Sequence, residues 1–205
     1  MKWHAAFGAL VALSTASAMA LAAAAARDPD WPCEQIKVPQ LSLASVWSGP
    51  ALGGDARDWQ ADRQVAELVG VLVQRRLPMT EAQEQIRAVA AQAGDQKQPK
   101  LLAILAGVLS TLDEERSAVI AGLDRFGARQ KELAATLRED NEKLRAMQTD
   151  QEAKSSDAAR VGEQVSWEAQ VFQDRRQALR YACDVPGKIE QRLFGLARAI
   201  QEALQ

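Results

Sequence analysis

Two stretches in the second half of this chain repeat mostly apolar residues at alternating spacings of four and three. The first holds Val119, Leu123, Phe126, Gln130, Leu133, Leu137, Asp140, Leu144 and Met147. The second holds Ala158, Val161, Val165, Glu168, Phe172, Arg175, Leu179 and Ala182. This spacing places the side chains along one stripe of an α-helix, as in coiled coils. Turn-forming residues separate the stretches, so the pattern predicts an antiparallel coiled-coil hairpin over residues 113–182.

Polar residues interrupt the seam of this hairpin at Gln130, Asp140 and Arg175. A polar residue in a coiled-coil seam usually fixes register and pairing at some cost in stability, although it can also recognise a partner. We favour the structural role. Charged residues, including Arg116 and Glu132, are expected to flank the seam.

Residues 56–112 predict a helical bundle that forms the base of the hairpin. Thr80-Glu81-Ala82-Gln83 has the spacing of a capping box, which predicts a helix that begins at Thr80, and Gly94 suits the end of that helix. Pro99 fits the first turn of a third, almost wholly apolar helix. That helix either ends near Leu112, with Thr111 as a new cap, or continues into the hairpin. Residues 183–205 predict a final amphipathic helix that packs on the base.

Residues 27–55 are rich in proline and glycine, yet they also carry tryptophans and aliphatic residues. Such a segment is too hydrophobic for a disordered linker. We interpret it as an irregular strap that packs across the helices, with an exposed docking segment as the alternative. The candidate partner-binding residues are Trp31 and Trp47 in the strap and Trp167 beside the seam. The predicted fold class is therefore all-α: a small bundle, a long antiparallel hairpin and an irregular N-terminal strap.

Cys33 and Cys183 are the only cysteines. In an exported chain an even count favours a disulfide, which would pin the strap to the bundle. An intermolecular bridge and a redox-active pair are the alternatives. Without a C-x-x-C motif or a nearby histidine, a reactive thiol is disfavoured.

The first 26 residues have a cationic start, an apolar run and an A-x-A site at Ala18–Ala20. These features predict a secretory signal peptide over residues 1–26 and a periplasmic or secreted protein, with an uncleaved membrane anchor as the alternative. Cleavage removes one of the 25 Lys and Arg and none of the 27 Asp and Glu, leaving a net charge of about −3. An acidic balance does not favour nucleic acid.

Cleavage also removes His4, the only histidine. Ser-His-Asp and Cys-His catalytic sets are then impossible. Gly53-Gly54 lacks the continuation of a phosphate-binding loop. Neighbouring carboxylates such as Glu139 and Asp140 point apart on a helix. We therefore expect a non-enzymatic protein without catalytic, cofactor-binding or metal-binding residues, and we expect no small-molecule substrate.

Leu77-Pro78-Met79-Thr80-Glu81-Ala82-Gln83 resembles the L-T-x-x-Q motif of the Spy and CpxP periplasmic helical proteins, with Met79 in place of the usual leucine. That resemblance implies an ATP-independent chaperone or a stress-response accessory protein. Asp30-Trp31-Pro32-Cys33 and Tyr181-Ala182-Cys183-Asp184-Val185-Pro186 also resemble segments of exported bacterial helical proteins of unknown function. The leading hypothesis is an exported scaffold that binds a protein partner, or a second copy, through the hairpin. The alternatives are a chaperone and, if the signal segment stays uncut, a membrane-anchored accessory subunit.

Overall fold

A computed structural model describes residues 28–150 and 155–205, and within them every regular element is helical. The α-helices are α1 (Leu43–Val46), α2 (Gly54–Arg57), α3 (Arg63–Leu72), α4 (Met79–Gln92), α5 (Lys97–Thr149), α6 (Ser155–Cys183) and α7 (Val185–Leu204), and two short 3-10 helices span Trp59–Ala61 and Gly94–Gln96. The predicted all-α class is confirmed. The predicted signal segment 1–26 and residues 151–154 lie outside the described residues. Among the helices that are described, none has both the length and the hydropathy of a membrane span.

The longest element, α5, is continuous from the base into the hairpin, which the sequence had left undecided. It runs without interruption for 53 residues, so Thr111 does not start a new helix. At the rise of an α-helix this is about 80 Å. Pro99 lies in the first turn, where its missing N–H costs no hydrogen bond. A single helix therefore belongs to both the base and the hairpin.

The core of the base forms around the first part of α5, against α3, α4 and α7. Its largest fully buried side chains are Leu72, Ile86, Leu101, Ile104, Leu105, Leu112, Ile189, Leu193, Leu196 and Ile200. Burial of each such side chain contributes about 1.5–3 kcal/mol. The predicted buried centre and the predicted C-terminal amphipathic helix are both present.

The ends of the base helices follow local rules in two cases and depart from them in one. Asp62 caps α3 by accepting hydrogen bonds from the N–H groups of Gln64 and Val65. Gly94, with φ of 52°, follows Ala93, the C-cap residue of α4, and so adopts the left-handed conformation that often ends a helix. The predicted cap at Thr80 is wrong: α4 begins at Met79 after an extended Pro78, and no side chain caps it. Because proline leads directly into the helix, Thr80 lies inside the first turn.

The hairpin is formed by α5 and α6, which run antiparallel. The register is given by Gln130, whose amide donates to the Phe172 carbonyl at 3.4 Å, and by Gly162, which faces Leu144. Every seam position that the heptad pattern assigned is buried or half-buried except Arg175, which is exposed. The prediction is wrong for Arg175, because a long charged side chain can leave a seam for water at little cost.

A bend separates α6 from α7. Only Asp184 lies between the two helices, and the buried Pro186 occupies the start of α7. Proline has no N–H with which to continue the hydrogen-bond ladder of α6. Cys183 therefore sits at an elbow where the hairpin joins the base.

The strap runs antiparallel to α5 and crosses this elbow. As the strap proceeds, its polar contacts reach successively earlier residues of α5. Asp30 pairs with Lys131, Lys37 with Asp124, the Val38 carbonyl with Arg116, and the Leu41 N–H with Asp113. Cys33 and Cys183 form the intramolecular disulfide, with 5.7 Å between their Cα atoms and a sequence separation of 150. Beside it, the Gln35 amide donates to the Cys183 carbonyl.

We expect Gly127→Ala to loosen the strap. A Cβ at position 127 would lie 1.9 Å from the Asp30 carbonyl oxygen, so the strap backbone must move. Gly122 of the same helix has no such neighbour and is the matched control, for which alanine should add up to about 1 kcal/mol of helix stability. Thermal unfolding should show Gly122→Ala unchanged or stabilised and Gly127→Ala destabilised. Equal stabilisation of both would show that the strap does not rest on Gly127.

We expect the double variant Cys33→Ser and Cys183→Ser to lose about 2–5 kcal/mol of unfolding free energy, since the bond closes a long loop in the unfolded chain. Denaturant unfolding with and without a dithiol measures this loss. The reductant should destabilise the native protein and leave the double variant unchanged. A native protein that is insensitive to reductant would contradict this account.

Candidate interaction surface on the helical hairpin

The hairpin extends well past the core of the base. The core cluster includes α5 side chains only from Leu101 to Val119, whereas the helix continues to Thr149. This extension corresponds to about 45 Å. In α6 only Val165 and Cys183 are fully buried. Two paired helices bury only the centre of their facing apolar stripes. The edges of the seam therefore stay accessible to solvent.

The polar seam residues Gln130 and Asp140 are 9% and 8% exposed. Asp140 accepts a hydrogen bond from Lys143 at 2.8 Å, and this bond raises the pKa of Lys143. The side-chain amide oxygen of Gln130 and one carboxylate oxygen of Glu168 are buried without a hydrogen-bond partner. Since Gln130 bonds across to Phe172, it can fix the hairpin register, which is the structural role that the sequence favoured.

The three candidate tryptophans have different environments. Trp47 is 7% exposed and donates its indole N–H to the Pro50 carbonyl, so it packs in the core. Trp31 is half-buried, donates to the Gln35 carbonyl and lies 5.7 Å beneath the Lys37 ammonium. Trp167 is 69% exposed on the hairpin. Of the three, Trp167 is the side chain that a partner can reach most fully.

An apolar groove lies on the flank of the seam opposite the strap. It is enclosed by α5, α6 and the start of α7, and its volume is about 260 Å³. Its lining is formed by Val119, Gly122, Leu123, Phe126, Ala178, Leu179, Ala182 and Val185. The lining has no charged side chain, whereas the cavity between the strap and α6 is lined mainly by polar and charged residues.

Ion pairs hold the strap on its side of α5. Lys37 bridges Asp28 at 2.6 Å and Asp124 at 2.8 Å. The carboxylates of Asp124 and Asp28 raise the pKa of Lys37, and the hydrogen bonds from Lys37 and the Asp30 N–H lower the pKa of Asp28. Both groups are charged at neutral pH, and the contribution of Asp28 is lost as the pH falls through its lowered pKa.

Arg116 is the centre of this attachment and does not flank the seam as expected. Its side chain is 3% exposed, pairs with Glu190 of α7 at 2.6 Å and donates to the Val38 carbonyl of the strap at 2.7 Å. It thereby ties the strap, α5 and α7 together. Its spacing of four residues from both Leu112 and Ile120 was the signal that could have placed it on the buried face.

A second buried arginine, Arg192 on α7, joins the base helices. Its guanidinium donates to the Leu72 carbonyl at the end of α3 and to the Leu77 carbonyl in the turn before α4. The Leu72 carbonyl is one of those that the C-terminal end of a helix leaves unpaired. Burial lowers the pKa of Arg192, but a guanidinium stays charged at any physiological pH.

We expect Arg192→Met to cost about 2–4 kcal/mol of unfolding free energy, because the carbonyls of Leu72 and Leu77 would be left buried without a donor. Arg198→Met is the matched control on the same helix, since the Arg198 side chain is 83% exposed and pairs only with Glu202. The control should change stability by less than about 0.5 kcal/mol. Denaturant unfolding of both variants checks this, and equal effects would contradict the assigned role.

Within residues 28–150 and 155–205 no group of three or more Cys, Asp or Glu side chains has the arrangement of a metal site. Neither a family model, nor a curated protein, nor a solved structure matches this chain. The resemblance of residues 77–83 to the L-T-x-x-Q motif therefore stays a prediction. Those residues form the turn before α4 and its first turn.

Proposed function

We propose that this chain is an exported, non-enzymatic scaffold protein that binds a protein partner through its helical hairpin. The observation that carries the proposal is the hairpin itself. It continues about 45 Å past the core as two helices whose seam residues are mostly only half-buried. Such a rod offers an accessible apolar stripe to another helix.

The distribution of buried polar groups supports binding rather than chemistry. The two buried arginines, Arg116 and Arg192, are engaged by backbone carbonyls and one carboxylate. The sequence beyond residue 26 has no histidine to act as a base near neutral pH. The exposed apolar groove and Trp167 are features by which a protein surface binds another protein.

The proposed location outside the cytoplasm rests on the N-terminal sequence together with the bridge between Cys33 and Cys183. Disulfides persist in oxidising compartments and are rare in the cytosol. In this proposal the strap and its bridge brace the elbow, so that the hairpin is held at a fixed direction from the base.

The proposal is tested by crosslinking in the cell. A photo-crosslinking residue placed at Ser156, which is exposed at the start of α6, should capture one discrete protein. The same residue at Arg63, whose side chain is 91% exposed on α3 in the base, should not capture it. Mass spectrometry of the adducts identifies the partner.

Two other outcomes would decide against the proposal. Capture of many unrelated proteins from the tip would instead favour the chaperone hypothesis. Capture of nothing at the tip, in cells where both variants are exported and folded, would leave the hairpin without a binding role.

A further inference from the structure

The groove and Trp167 share one flank of α6. Trp167, Val171, Ala178 and Ala182 follow one another at spacings of four, seven and four residues, which is a single stripe of a helix. Trp167 is 69% exposed, and Ala178 and Ala182 line the groove. The stripe therefore carries a protruding aromatic side chain at one end and an apolar hollow at the other, about 16 Å apart.

The charges of α6 are divided in the same way. Its tip half, residues 155–169, carries three acidic residues and one basic residue: Asp157, Glu163, Glu168 and Arg160. Its elbow half, residues 170–183, carries three basic residues and one acidic residue: Arg175, Arg176, Arg180 and Asp174. Asp174, Arg176 and Arg180 line the cavity between the strap and α6, whereas the helical spacing places Asp157 and Glu168 of the tip half and Arg175 of the elbow half on the stripe. A second α6 that runs in the opposite direction would bring the acidic tip end of one stripe towards Arg175 of the other.

We propose that two copies of this chain associate through α6 in antiparallel orientation, with Trp167 of each copy in the apolar groove of the other. The inference rests on the proposed function and names a second copy as the partner of the hairpin. A two-fold axis near Phe172 and Gln173 brings each Trp167 opposite Ala178 of the other copy. The two hairpins then form a four-helix arrangement, a common way to bury two-helix surfaces.

The occupant is a second copy because both shape and charge on this one helix are self-complementary. In a two-fold interface the same surface is used twice, so a protrusion and its hollow must lie on the same molecule, on either side of the axis. Trp167 and the groove meet this condition. The acidic Asp157 and Glu168 at the tip end of the stripe and Arg175 at its elbow end also meet it, and they favour the antiparallel pair over a parallel one.

The central aromatic side chain should carry much of the binding energy. Sedimentation of the exported, disulfide-bonded protein should show a dimer, and Trp167→Ala should raise its dissociation constant by at least about tenfold. Ile36→Ala is the matched control, because Ile36 is 86% exposed on the strap, which lies on the opposite flank of the hairpin from the groove. Its dissociation constant should change by less than about threefold. A native protein that stays monomeric up to high concentration, or equal effects of the two variants, would overturn the inference.

A charge exchange tests the orientation. The variant Arg175→Glu makes the elbow end of the stripe acidic, and Asp157→Lys with Glu168→Lys makes its tip end basic. Each variant alone should dimerise at least about tenfold more weakly, because like charges then face each other. Their mixture should form a heterodimer of near-native affinity, which also shows that both variants fold. Weak association of the mixture would rule out the antiparallel pair.

These outcomes separate the inference from the proposed function. In the dimer, a crosslinker at Ser156 should capture the elbow of the other copy. If the protein is monomeric and Ser156 instead captures a different envelope protein, the hairpin has its binding role and this inference is wrong. If neither association is found, both proposals fail.

Discussion

The whole structure depends on the burial of the first part of α5. Its apolar residues, from Leu101 to Leu112, cover nearly the full circumference of the helix and must be surrounded by other elements. The helices α3, α4 and α7 and the short α2 provide that surround. Because the same helix continues without a break to Thr149, the position of the base also fixes where the hairpin begins and how it is directed.

The elbow at Cys183 is the second place where separate parts of the chain meet. The disulfide, the Gln35 side chain and the buried Arg116 all attach the strap within a short distance of the bend between α6 and α7. Several strap side chains, including Glu34, Gln35 and Ile36, are exposed. The strap is thus held by its covalent bond and polar contacts more than by apolar burial over this segment, and Gly127 allows its backbone to approach α5.

The hairpin buries less apolar surface than the base. With only two helices, most seam residues stay half-buried, and Gln130 and Asp140 replace apolar residues at positions that are almost fully buried. Polar groups at such positions lower stability but restrict the ways in which helices can pair. A rod of this kind keeps a defined register while leaving an apolar flank, with Trp167 and the groove, open to a further helix.

The sequence by itself determined the elements that depend on the periodicity of apolar residues. The heptad spacing predicted the facing stripes of α5 and α6, the amphipathic spacing predicted α7, and the even count of two cysteines favoured one intramolecular bridge. Arg175, Thr80 and Arg116 were misassigned, since whether a charged side chain is exposed or a hydroxyl caps a helix depends on neighbours from elsewhere in the chain. Arg192 joins α7 to carbonyls more than a hundred residues away, and such a contact has no local pattern. Likewise, only the tertiary structure decided that α5 is continuous and that Trp167 shares a flank with the groove, because both follow from how whole helices pack and not from the preference of any one segment.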